Sequence, residues 1–216
     1  MKKSALFSLL TLTVFVLVST AACSIRGPAQ TPQKEIFVLR AEPPGHGLSA
    51  AKKPSGCSLR IGTPVSSRSL NTTRMAYSTE PKRLDYFAYH EWAAPPATML
   101  KSLMERQLDA SGMFRFVIAD LPGIQADLRL DLNLLLLQQN FDNGSSSVQL
   151  AIKVTLAEPG TRSLVASETF DYEEIAPGAD AESGVDAANR ATGQLLMDLQ
   201  SFIDNALDKT VCSNTD

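Results

Sequence analysis

Asp85, His90 and Glu91 stand close enough in the chain to raise an acid–base site, and Asp127 with Asp131 to raise a carboxylate pair. Acid–base chemistry needs titratable groups that converge on one proton, so the groups must share a face. Leu84 to Trp92 reads as extended, because Tyr86, Phe87 and Tyr89 favour a strand. Alternation then sends Asp85 and His90 to opposite faces and leaves Glu91 several residues from Asp85. His90 reads as an ordinary strand-surface residue, and Asp127 and Asp131 as a solvated face. The chain contains no GxxxxGKS or GxxxxGKT phosphate loop, no G-x-S-x-G elbow and no HExxH pair. His46 and His90, the only histidines, have no ligand-type spacing to a cysteine. The expectation is no catalytic residue, no metal and no cofactor, so not an enzyme.

Three cysteines carry the remaining chemistry. Cys23 follows Ser19-Thr20-Ala21-Ala22, small residues placed after Lys2, Lys3 and the apolar run Ala5 to Val18. That run is too short to cross roughly 30 Å of hydrocarbon, which takes about 20 helical residues. The arrangement resembles the lipobox of bacterial lipoproteins, with Thr20 where leucine is usual. It implies cleavage after residue 22 and acylation of Cys23, by palmitate or a similar chain. The alternative is an ordinary secretory signal cleaved near Ala22, with Cys23 incidental. Two or more acyl chains exceed the reversible binding of a single one, so lipidation means stable anchoring. Ser24 in place of aspartate favours the outer membrane, by analogy with lipoprotein sorting. Cys57 and Cys212 then form an even pair in an oxidising periplasm, which suggests a disulfide. Two free thiols and an intermolecular bridge are the competing readings.

The elements that must position these residues follow from composition and pattern. The chain has 216 residues, 44% hydrophobic and 20% charged, the profile of a globular protein. Removing Lys2 and Lys3 with the signal moves the net charge from −3 to −5, and aromatics make up only 6%. Both numbers argue against nucleic-acid binding. Residues 1–22 are the signal, 23–34 the lipidated cysteine and tether, 35–212 one domain and 213–216 a tail. Pro28 and Pro32 mark the tether, which reaches about 15–20 Å as a coil.

Short strands are expected at Glu35–Arg40 and Cys57–Val65, with a Pro- and Gly-rich loop at 41–56 between them. Arg74–Ser78 and Leu84–Trp92 form a hairpin around Glu80-Pro81-Lys82. A helix starts at Pro95-Pro96, carries Leu100, Leu103, Met104 and Leu108 on one stripe, and ends at Gly112. Met113–Ile118 is a further strand. Two long strands follow, with Leu128, Leu130, Leu132, Leu134 and Leu136 on one and Val148, Leu150, Ile152, Val154 and Leu156 on the other. Asp142-Asn143-Gly144-Ser145 turns between them. A strand at Ser163–Glu173 precedes a helix over about 180–209, with Ser183 and Asp186 as its capping box. Its stripe comprises Val185, Leu195, Leu196, Leu199, Phe202, Ile203 and Leu207. The predicted class is α+β, a single domain with a mostly antiparallel sheet and two main helices packed on one face.

The run from Arg74 to Val117 resembles the ABC-type transport auxiliary lipoprotein family, on Tyr77, Tyr86, Trp92, Pro95, Pro96, Met99, Leu100, Leu108, Ser111, Gly112 and Phe114. ADLRLDLNLLLLQQNF from Ala126 and GVDAANRA from Gly184 to Ala191 fit the same pattern. The Cys57/Cys212 pair is not expected throughout that family. The resemblance implies a non-catalytic partner of an ABC transporter and its MCE-type periplasmic protein, moving lipids between the two membranes. It implies that the motif residues are structural or docking positions; a homo-oligomer stays open, as do an envelope-assembly adaptor and a lipid-binding carrier. Two docking candidates follow from pattern alone. One is the polar face of the Ala126–Leu156 hairpin, with Asp127, Arg129 and Asp131 in a row. The other is the C-terminal helix, if its stripe is wider than one sheet can cover.

Overall fold

A computed structural model describes residues 32–41, 55–118 and 123–208. The chain divides into two units, Met1–Gln33 and Lys34–Asp216, and all elements below belong to the second. Cys23, Cys212, most of the 41–56 loop and the tail lie outside the described residues.

The long hairpin is the axis of the fold. Strand β7 (Leu128–Asp142) pairs antiparallel with β8 (Ser145–Glu158), and β8 pairs antiparallel with β9 (Ser163–Ile175). Asn143 and Gly144 both take positive φ, 46° and 88°, as the mirror-image turn that matches strand twist requires. The other edge of β7 is shared. β2 (Ser58–Ile61), β3 (Val65–Ser66) and β4 (Arg74–Ser78) lie against it one after another, all parallel. Outside them, β6 (Phe116–Ile118) pairs with β2, β5 (Asp85–Trp92) with β4, and β1 (Glu35–Phe37) with β5. The sheet is open and mixed: its long ladders are antiparallel and its short ones mostly parallel. With its two helices it makes the α+β domain that the patterns predict.

Two details depart from the sequence reading. Leu134–Leu137 is a continuous apolar run, and strict alternation assigns Leu136 to the core. The ladder instead slips between Leu134 and Leu136, leaving Leu135 unpaired and 45% exposed. That bulge reverses the phase, so Leu137 (3% exposed) and Gln139 take the core positions and Leu136 is only half-buried. The capping box is also displaced. Asp180, not Ser183, caps the second helix, accepting the Ser183 N–H at 2.8 Å and the Ser183 hydroxyl at 3.1 Å.

The Asp180 contacts hold its carboxyl below its ordinary range, chiefly through the Ser183 backbone N–H. A depressed carboxylate stabilises the fold above its unfolded pKa and loses that contribution as pH falls through its folded pKa. Asp180→Ala should therefore lower the melting temperature at neutral pH, and the two proteins should converge in acid below the carboxylate range. A constant difference across that range would remove the cap as its source.

Helix α1 (Pro96–Ala110) and helix α2 (Ala181–Leu207) cover one face of the sheet. Pro95 and Pro96 open α1, where a missing N–H costs nothing, and Gly112 at φ +67° ends it. α2 sits close because its sheet-facing residues are small: Gly184, Ala187, Ala188 and Ala191 are all buried. A Cβ at Gly184 would lie 2.1 Å from the Gln139 side-chain oxygen, so a larger residue there would force the Gln139 amide to move. Gln139 itself donates to Ser146 Oγ and to the Asp180 carbonyl, both at 2.9 Å, tying the end of β7 to the start of α2. Asn189, buried on α2, accepts the Arg40 N–H at 2.8 Å and fixes the chain leaving β1.

Candidate docking surface

The motif residues mostly build the body. Trp92, Met99, Leu100 and Phe114 are buried in the core, and Pro95, Pro96 and Gly112 bracket α1. Tyr86 donates to the Ser69 carbonyl at 3.0 Å, and the Arg74 guanidinium lies 3.9 Å from its ring centre. Tyr77 is half-buried, and its ring meets Phe87 at 4.8 Å and Phe141 at 5.7 Å. The positions that carry the resemblance hold α1 and the β4–β5 hairpin in place. Tyr86, like Tyr77, is half-buried.

The suggested acid–base residues each have a different neighbour. Asp85 meets Arg83 at 2.8 Å, Glu91 meets Lys34, and His90 Nε2 lies 3.4 Å from Glu35. His90 also packs between Phe37 and Phe87. Nothing draws the three onto one substrate position. Among the described residues no group of three or more metal-binding side chains stands together.

The two docking candidates fare differently. Asp127 accepts both the backbone N–H and the hydroxyl of Ser58 at 2.7 Å, and these bonds hold its carboxyl below the ordinary range. Arg129 and Asp131 pair at 2.8 Å. That row stitches β2 to β7 and satisfies itself, so it is less available than alternation suggests. The stripe of α2 is fully used: Leu195, Leu196, Leu199, Phe202 and Ile203 are buried against the sheet and α1, and only Leu207 is half-buried. The sheet and α1 together cover it, and that helix presents no surplus apolar face.

Two surfaces were not visible in the pattern. A groove of about 690 Å³ with a mixed polar and apolar lining runs between the Glu80–Lys82 turn and Gln138, Asn140 and Gln149 on the uncovered sheet face. The second is the outer edge of β9, which no described strand pairs. Beside it the Tyr172 hydroxyl donates to Asp198 at 2.8 Å, and burial with that carboxylate raises the phenol well above its usual range.

Comparison with known proteins decides the family. A family model described as the ABC-type transport auxiliary lipoprotein component matches residues 37–199, most of the chain. The chain belongs to this auxiliary lipoprotein family. No curated protein matches it. Among solved structures, the auxiliary lipoprotein resembles protein XCC0632 from Xanthomonas campestris, with a TM-score of 0.67 and 19% identity. The match covers 81% of this chain and 98% of that one. It also resembles a second crystal structure, of an uncharacterized protein, with a TM-score of 0.62 and 14% identity over 79% and 99% of the chains. At these identities the likeness shows a shared fold. The auxiliary lipoprotein family makes this an envelope-associated component of ABC-type transport. No helix among its described residues is long and apolar enough to cross a membrane.

Proposed function

We propose that this auxiliary lipoprotein is held at the inner leaflet of the outer membrane by acylated Cys23 and docks, without catalysis, onto an MCE-type protein of an ABC lipid-transport system. The family match over residues 37–199 carries the reading. One void in the described core supports docking over carriage. The void beside Gln139, lined by Met75, Phe87, Trp92, Val148 and Gly184, holds about 10 Å³. That is room for one water molecule, not for an acyl chain. The groove along the Glu80–Lys82 turn mixes charged and polar side chains with Pro81, Leu84 and Phe141, the mixed character that protein interfaces bury.

Affinity capture tests the reading. Tagged, lipidated protein extracted from envelopes in mild detergent should bring down an MCE protein together with an ABC ATPase. Recovery of cell-wall or outer-membrane assembly factors with neither component would favour the envelope adaptor instead. Co-purified phospholipid at one molecule per chain would favour the carrier.

A further inference from the structure

We propose that the open edge of β9 receives an extended, lysine- or arginine-bearing segment of the partner protein, which joins the sheet as an additional strand. The proposal deepens the docking reading above and rests on it. Three observations lead there.

The first is the edge itself. β9 pairs with β8 from Ser163 to Ile175, and its other side meets no described strand. The Ala176 N–H donates to the Ser146 carbonyl at 2.9 Å, which sets the phase of the ladder. Alternation along an antiparallel strand then turns the N–H and C=O groups of Ser167, Thr169, Asp171 and Glu173 outward. The Ile175 carbonyl fits the same phase, since Arg190 reaches it at 2.5 Å instead of β8. A row of aligned, unpaired peptide groups is a template for strand addition.

The second is the lack of the usual guards. Sheet edges are blunted by proline, by lysine, by bulges or by charged side chains thrown across them. β9 holds no proline and no lysine, and its one slip, opposite Leu156/Ala157, affects only its beginning. Three of its four acids turn back onto the protein: Asp171 accepts from Gln149 at 3.2 Å, Glu173 from Ser147 at 2.8 Å, and Glu174 from Arg190 and Gln194. Among the described residues no strand covers the backbone edge.

The third is charge, which selects the occupant. β9 carries Glu168, Asp171, Glu173 and Glu174 and no basic residue. Two copies joined edge to edge through β9 would set carboxylates beside carboxylates, which disfavours a self-paired dimer. Among the described residues the other strands with a single neighbour, β1, β3 and β6, are no more than three residues long and cannot cover β9. A partner strand with Lys or Arg at alternate positions would place its cations beside Asp171 and Glu173 on the uncovered face while its backbone completes the ladder.

The test uses the detergent-solubilised, lipidated protein and a synthetic peptide of about ten residues alternating Lys with Val and Thr. Binding should slow amide exchange at Ser167, Thr169, Asp171 and Glu173. Methylating alternate peptide nitrogens keeps the charge and removes ladder bonds, and should weaken binding about tenfold or more. Asp171→Pro, which blocks one outward N–H, should weaken it similarly while a cooperative melt is retained. The methylated-peptide comparison stands whether or not that variant folds. No binding of the lysine peptide, equal binding of its methylated form, or dimerisation of the protein through β9 would each overturn the proposal. No transporter component enters this assay, so its failure leaves the capture result standing, and failed capture leaves this result standing.

Discussion

Cys23→Ser should move the protein from the membrane fraction to the soluble periplasm. The driving force is arithmetic. Each buried methylene contributes about 0.8 kcal/mol, a single acyl chain binds only reversibly, and two or three bind durably. Removing the thiol removes every chain at once, so partitioning should change from nearly all bound to nearly all free. Fractionation with parallel incorporation of labelled palmitate reads both consequences. A Cys23→Ser protein as membrane-bound as its parent would make the cysteine incidental and the ordinary secretory signal the better account.

The second large effect concerns Cys57 and Cys212. Cys57 is 1% exposed, directly before β2, and its carbonyl accepts the Arg115 N–H at 2.7 Å. A bond from there to Cys212 closes a loop of most of the mature chain, which in the chain-entropy model stabilises the fold by up to about 5 kcal/mol. Cys57→Ala and Cys212→Ala should each lower the denaturation midpoint substantially. The double variant should lose little more than either single one, because the second change finds no bond left to break. Additive losses, or full alkylation of both thiols in folded, unreduced protein, would instead indicate two independent cysteines.

What the chain discloses about its fold is what local patterns can encode. β8 keeps one phase from Val148 to Leu156, so alternation locates its buried face correctly. The helices were legible because their stripes and flanking Pro and Gly residues are local too. The bulge at Leu135 was not, because four consecutive leucines look alike in either phase. β3 is two residues long and exists only as a partner of β7. The Asp180 cap was missed because Ser183 and Asp186 offered the same motif three residues later. The docking surface was least legible. Pattern tells which face of a strand is wet, but whether an edge is paired depends on every other strand, so nothing local in Ser163–Ile175 announces an open edge.

The way β2, β3 and β4 share one edge of β7 bears on how the molecule is made. Ser58 and Asp127, bonded at 2.7 Å, are 69 residues apart in the chain. Contacts of that separation must wait for long loops to close, and such topologies fold slowly. A chain emerging from its N-terminus delivers three short strands before the neighbour they share. Until residues 128–140 arrive, those strands have no β7 to lie against, and unpaired edges of this kind invite association with other chains. Folding of this protein therefore includes an interval in which its first half needs shielding, and that interval ends only when the axis of the sheet has been delivered.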